Sequence, residues 1–369
     1  MNTIKKGKYY KADLLVSMSG KIYRNKIFKI FNGRLEFVNK TKDEVIELEK
    51  SLVYPSPVNA HTHLELTELN KEELNFSSFA EWVVSIIKLK RECSEKFLLK
   101  SYENGKRLLS KYNTLVYGNI LSPFLYNLIP EKERNLNFVE IIEYREENIG
   151  SVNINYPKIS PHSFYSVHPK LILKILNMDI PKSMHFFESK DEYEYLINNR
   201  GGIIEKIYKF VGLKPIKYSF DFFESFLKKA SNIQLIHLSN LPEKLKPIIL
   251  YRKDKIFYTL CPRSNSKFGS KSPYYFFVKN SIPFSLGTDS LCSNDDLNVI
   301  NEAKYIYNDL KDYFPKEELS KILFFSLTKW GYRAIFKKFP EYTYITNIES
   351  KNIETFSDIM KLLFENIDT

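Results

Sequence analysis

The chain has 369 residues, 43% hydrophobic and 27% charged, which excludes a disordered chain and allows a large buried core. Lys and Arg total 55 against 44 Asp and Glu, giving +11, but the lysines are spread along the whole length and form no basic helix. With no aromatic RNA-binding signature either, nucleic acid is excluded as a partner, and the absence of a long apolar run excludes a membrane span.

The N-terminus carries no apolar leader, and Cys93, Cys261 and Cys292 stand far apart without a CxxC pair, so a reduced, cytoplasmic protein is expected. Residues 9–39 read as short strands at 12–16, 21–23, 26–30 and 34–38, with Asn32-Gly33 as a hairpin turn. From residue 52 the pattern changes. Strand segments at 52–59, 114–119, 138–143, 152–159, 183–187, 234–238, 256–260 and 283–287 alternate with helical stretches such as 79–93, 97–111, 169–178 and 220–230. Alternation of this kind predicts an α/β protein with a parallel sheet, and eight strands predict a closed (β/α)8 barrel, or TIM barrel. Beyond Trp330, residues 342–346 are strand-like and 358–366 read as a closing helix.

Only six histidines occur, and five fall at expected strand ends: His61 and His63 after the first strand, His162 after the fourth, His185 after the fifth and His237 after the sixth. Asp289 follows the eighth. Strand side chains alternate, so the two imidazoles of His61-Thr62-His63 point the same way and can meet one ion. A barrel assembles its active site from the C-terminal ends of its strands. Three imidazoles and a carboxylate suit a catalytic divalent metal that keeps a position for water. Glu188 lies three residues past His185, near the ion but free to act as an acid or base. His237 taken alone would be an ordinary core histidine; beside the other four it is a candidate to hold or deprotonate the water. His168 opens a helix and is assigned no role.

Five stretches carry a resemblance: Pro57-Val58-Asn59-Ala60-His61-Thr62-His63, Ser160-Pro161-His162-Ser163, His185-Phe186-Phe187-Glu188, Cys261-Pro262-Arg263-Ser264-Asn265, and Leu286-Gly287-Thr288-Asp289-Ser290 with Ser293-Asn294. Together they resemble the amidohydrolase superfamily, in its group of cytosine-, adenosine- and chlorohydrolase-like enzymes. The resemblance implies a metal-dependent (β/α)8 barrel flanked by a small β-sandwich from both termini. The expected division is residues 1–52 for the first part of the sandwich, 53–329 for the barrel and 330–369 for the rest. It puts His61, His63, His185 and Asp289 on one divalent metal, zinc by family habit with iron as the alternative. Glu188, His237 and Asp289 are the implied catalytic residues, with Glu188 protonating a ring nitrogen while Asp289 and His237 handle the attacking water.

A binuclear site built on Lys158, close to the end of the fourth strand, is the competing arrangement. His61-Thr62-His63-Leu64-Glu65-Leu66-Thr67 and Ser78-Phe79-Ala80-Glu81-Trp82 are most similar to aminofutalosine deaminases of an alternative menaquinone pathway. That implies an adenine nucleoside bearing a carboxyphenyl group, deaminated with loss of ammonia. Deamination of S-adenosylhomocysteine, methylthioadenosine or 5′-deoxyadenosine, and chlorohydrolase or guanine deaminase chemistry, are the alternatives. Arg145 and Arg263 are candidates for the substrate carboxylate, Glu92 for the ribose and His162 for the substrate ring, with Glu188 also touching substrate. A homodimer is the default assembly. The tail lacks the family's usual glycine-rich stretch ending in Ala-Asp.

Overall fold

In the computed structural model, which describes residues 2–5, 7–31, 34–69, 71–200, 204–336, 344–349 and 353–365, the chain starts in a small sheet. Strands β1 (Asn2–Thr3), β2 (Tyr9–Val16), β3 (Ile22–Phe31), β4 (Arg34–Val38) and β5 (Val45–Pro55) come from the N-terminal segment. A late strand, Tyr344–Glu349, inserts between β1 and β5, so both termini build one six-stranded sheet. The expected Asn32-Gly33 turn lies outside the described residues, as do residues 342 and 343 of the expected tail strand. Tyr10 and Ala12 alternate onto a face shared with Phe28, Ile30 and Val53. A register shift between Ala12 and Leu14 then changes the phase: Leu15 stays on that face, and Leu14 turns to the barrel core with Leu52 and Tyr54.

The second sheet is entirely parallel. It runs in chain order through β6 (Val58–Thr62), β7 (Val116–Leu121), β8 (Asn137–Ile141), β9 (Ile159–Pro161), β10 (Lys182–Phe186), β11 (Ile233–His237), β12 (Phe257–Leu260) and β13 (Ser285–Leu286). At the seam between β13 and β6, the Asp289 N–H donates to the His61 carbonyl at 3.1 Å. Gly287 permits this approach, since a Cβ there would stand 2.7 Å from the Cβ of His61. The eight strands thus form a nearly closed barrel.

Two strand expectations differ from what forms. Residues 52–59 are not one barrel strand: 52–55 finish β5 in the small sheet, and the chain breaks at Ser56-Pro57 before β6. Pro57 has no N–H to continue a ladder, while the Ser56 hydroxyl donates to the Asn113 carbonyl at 2.8 Å. Of residues 152–159 only the last joins a strand. The other six strands start and end within two residues of expectation.

Helix Lys329–Phe336, expected with the tail, instead seals the N-terminal end of the barrel. Tyr332 and Ile335 pack on Val58, Val116, Ile120 and Phe138. The ammonium of Lys158 donates to the carbonyls of Asn135 and Ile335, the latter at 2.8 Å, which caps this helix at its C-terminus. Lys158 precedes β9 whereas His162 follows it, so this lysine sits at the floor, away from the histidines. The binuclear arrangement was built on Lys158, and that lysine does not reach the mouth. Among the described residues no helix is long and apolar enough to cross a membrane.

Candidate active site

All five strand-end histidines converge at the mouth of the barrel. His61 Nε2 is 3.4 Å and His63 Nε2 3.6 Å from Asp289 Oδ1, and the Nε2 atoms of His63 and His185 are 3.3 Å apart. A tetrahedral ion with bonds of about 2.0–2.1 Å spaces its ligand atoms by roughly 3.3–3.4 Å, so these separations match one shared ion. His185 Nδ1 donates to the His162 carbonyl at 2.9 Å, which leaves the lone pair on Nε2 facing His63. Neither ring nitrogen of buried His61 has a hydrogen-bond partner. An orphaned imidazole at 0% exposure is costly unless a cation takes its lone pair. Burial, reinforced by neighbouring imidazoles, pushes His63 and His185 well below the usual histidine range, so both rings are neutral donors.

Asp289 is held from the other side. Its Oδ2 accepts from the hydroxyls of Ser264 at 2.8 Å and Ser293 at 2.7 Å, leaving Oδ1 to the histidines. Burial alone would raise its carboxyl, but His61 and His63 hold it well below the usual carboxylate range. Glu188 goes the opposite way: burial, then the Asp289 carboxylate, with Glu192 adding to it once ionised, push it well above that range and keep it protonated. Glu188 Oε1 lies 3.7 Å from His237 Nε2.

The tautomer of His237 follows from Asn265. The side-chain nitrogen of Asn265 lies 3.3 Å from the Glu188 carbonyl, which can only accept, and 3.2 Å from His237 Nδ1. Nδ1 therefore accepts, and the ring hydrogen sits on Nε2, toward Glu188. Burial lowers His237 to about 3, so the ring stays neutral. Phe187, His237, Leu238 and Asp289 all adopt positive φ, between 50° and 73°, without a glycine among them. Backbone strain of this kind persists where surrounding contacts enforce it, here where strands end against the polar cluster.

Beside the cluster lies a cavity of about 140 Å³ lined by His63, His162, His185, Glu188, Asp289 and the side of helix Phe79–Glu92 that carries Trp82, Ile86 and Lys90. Trp82 is fixed by donating its indole N–H to the Cys292 carbonyl at 3.1 Å. His162 borders the cavity with its Nδ1 held 2.6 Å from the Ser166 hydroxyl. A wider groove of about 580 Å³ continues outward past Ile87, Lys90, Glu140, Ile142 and Tyr144, which border both spaces.

Residues 52–325 match the Amidohydrolase family. The chain belongs to that family. An aminodeoxyfutalosine deaminase from Nitratiruptor sp. is 27% identical over 327 residues, 78% of this chain and 75% of that one. A 5′-deoxyadenosine deaminase from Methanococcus aeolicus is 25% identical over 315 residues, 77% of this chain and 69% of that one. Among solved structures, aminofutalosine deaminase from Helicobacter pylori in complex with methylthio-coformycin superposes with a TM-score of 0.78 at 19% identity, covering 97% and 96% of the two chains. This amidohydrolase is accordingly a metal-dependent hydrolase of C–N bonds.

Three expected substrate contacts are not brought to the amidohydrolase cavity. Glu92 is exposed, past the last cavity-facing turn of its helix. Arg145 is exposed and lines neither space. Arg263 is bound bidentate to Asp296 at 2.9 Å on each oxygen, and its N–H donates to Glu302 at 3.0 Å. It braces the loop that carries Asp289, because Glu302 also accepts from Asn294, which holds the Thr288 carbonyl. His168 caps a helix, accepting from the Lys170 N–H at 3.3 Å. Sequence reasoning gave no role to Ser264, Asn265 and Ser293, although all three stand in the stretches that carry the family resemblance. Their signal was a polar residue soon after a strand end.

Proposed function

We propose that this amidohydrolase deaminates an adenine nucleoside and releases ammonia. The observation that carries the reading is geometric: Glu188, His237 and Asp289 each bring a side-chain nitrogen or oxygen within 4.8 Å of the others beside the cavity, where burial pushes the Glu188 carboxyl up while Asp289 is held low, an acid and a base in one pocket. His61, His63, His185 and Asp289 would hold a single divalent cation, zinc suiting the imidazole–carboxylate set and iron being the alternative. When bound, it supplies a Lewis acid that lowers the pKa of a water.

The chain's own groups do the proton work. Glu188 gives its proton to the purine ring nitrogen, making the amino-bearing carbon electrophilic. Asp289 Oδ1 takes a proton from the attacking water, since Oδ2 is occupied by two serine hydroxyls. His237 presents Nε2–H and so orients the attacking oxygen as a donor; with that tautomer it does not serve as the base. Asp289 then protonates the departing amino group, and the new hydroxyl returns a proton to Glu188. Water and the amine become ammonia and a lactam, with both carboxyls restored.

For the nucleoside itself, 6-amino-6-deoxyfutalosine is the first choice, on the similarity to the Nitratiruptor protein and on Arg91, a cation lining the outer groove where a substrate carboxylate would reach. A 5′-deoxyadenosine-type substrate is the second, on the Methanococcus similarity and on Lys90, which is already paired with carboxylates. Ammonia release across aminofutalosine, 5′-deoxyadenosine, methylthioadenosine, S-adenosylhomocysteine and adenosine at equal concentration separates them. Turnover of aminofutalosine no faster than adenosine would remove the first choice; no turnover of any would remove the reading.

A further inference from the structure

At the junction between the inner cavity and the outer groove stand Lys90 and Glu140, with Glu65 behind Lys90, and the two carboxylates are not equally satisfied. Glu65 is 2% exposed and accepts from the Ser122 N–H at 2.9 Å, the Ser122 hydroxyl at 2.7 Å and the Lys90 ammonium at 2.5 Å. Glu140, 9% exposed, has only the same ammonium at 3.8 Å, too long for a hydrogen bond. It lines both the inner cavity and the outer groove. Beyond that ion pair no hydrogen bond to the Glu140 carboxylate forms among the described residues, which leaves its acceptor capacity turned to the cavity. The donors have to come from whatever fills the cavity.

The geometry points to Glu140 as the acceptor for the vicinal sugar hydroxyls of the substrate, with Lys90 as its positioning residue. This rests on the nucleoside reading given above and assigns that reading's sugar contact. The reacting ring must reach Glu188 and Asp289 at the inner end. The sugar hangs one bond from the ring, which puts it at the junction, and the 5′ substituent then leaves through the outer groove. Two adjacent hydroxyls match the two oxygens of one carboxylate. Lys90, clamped by Glu65, holds Glu140 in the wall without taking up its acceptor capacity. The exposed Glu92 is thereby replaced in this role by a residue of β8.

The test compares kcat/KM for a 5′-substituted adenine riboside with its 2′,3′-dideoxy counterpart. In the unaltered enzyme the riboside should be preferred by about 100-fold, since two hydrogen bonds to a charged group are at stake. Glu140→Ala and Glu140→Gln should reduce that ratio to below about fivefold and about tenfold, with metal content unchanged. Lys90→Met should reduce the ratio, and Lys90→Arg should restore it. Preserved discrimination in both Glu140 variants would overturn the assignment while leaving the deaminase reading intact. Absence of turnover of any adenine nucleoside by the unaltered enzyme would instead fail that reading itself.

Discussion

The cavity wall made of strand ends and the wall made by helix Phe79–Glu92 hold their side chains by different means. On the strand side, Asp289, His185 and His237 each have a directional partner: serine hydroxyls, a carbonyl and an amide nitrogen. The backbone itself is forced to positive φ at His237 and Asp289. The helix side presents Val83, Ile86 and Ile87, apolar groups kept in place by packing, and Trp82, whose indole N–H also holds the Cys292 carbonyl, with the Lys90–Glu65 pair at its outer end. Chemistry depends on where individual lone pairs and protons sit, so its wall is over-determined by hydrogen bonds. Binding depends on shape, so the other wall tolerates many side chains of similar volume.

The sharpest way to break this contrast is to remove chemistry from the strand wall in two distinct manners. Glu188→Gln keeps the shape but cannot donate a proton, and kcat should fall about a thousandfold with bound metal unchanged. His185→Ala should lose both, metal analysis falling far below one ion per chain and activity to background. A Glu188→Gln protein with near-normal kcat, or a His185→Ala protein retaining its metal, would contradict the roles proposed for these residues.

A smaller effect tests the hydroxyls behind Asp289. Ser264→Ala removes one of two donors to Oδ2, leaves that oxygen to Ser293 alone, and should lower kcat about tenfold at little cost in KM. An equal change in KM and kcat would mean that Ser264 shapes the pocket and does not set the orientation of the carboxylate.

The two walls also differ in how far the sequence revealed them. His61, His63, His185 and Asp289 were legible because strand alternation and strand ends fix where such residues point. The small sheet's strands were legible, but Leu52 to Pro55 were misassigned because an apolar run does not say which sheet it joins. On the helix wall the period was available and decisive. If Trp82 faces the cavity, so do residues 86 and 90, whereas residue 92 lies around the helix from them. Lys90 and not Glu92 therefore reaches the cavity. Arg263 was misread because its partners, Asp296 and Glu302, lie more than thirty residues on and pair with it only once the barrel closes. Glu140 near the end of β8 and Lys158 just before β9 were not separable in the sequence, because the strand expected over 152–159 forms only from its last residue and so put Lys158 at the wrong end.

The smallest effect concerns Glu192, one turn behind the strand wall. Its Oε2 accepts from the Glu188 N–H at 2.7 Å, while its Oε1 is buried without a partner. Burial raises this carboxyl to about 8, against partial compensation from the Glu188 and Phe187 backbone N–H groups. Because the folded value lies above the unfolded one, Glu192 favours folding fully at pH below the unfolded value near 4.5. That contribution is lost as pH rises toward about 8, where the folded protein must ionise a buried group. Glu192→Gln keeps an oxygen for the Glu188 N–H and has no charge to acquire. Its melting temperature relative to the unaltered protein should therefore increase between pH 5.5 and 8.5, by on the order of 2 °C, measured by circular dichroism. A difference that stays constant across that range would show that Glu192 is already ionised in the folded state, and the carboxyl would then have to be stabilised by more than two backbone donors.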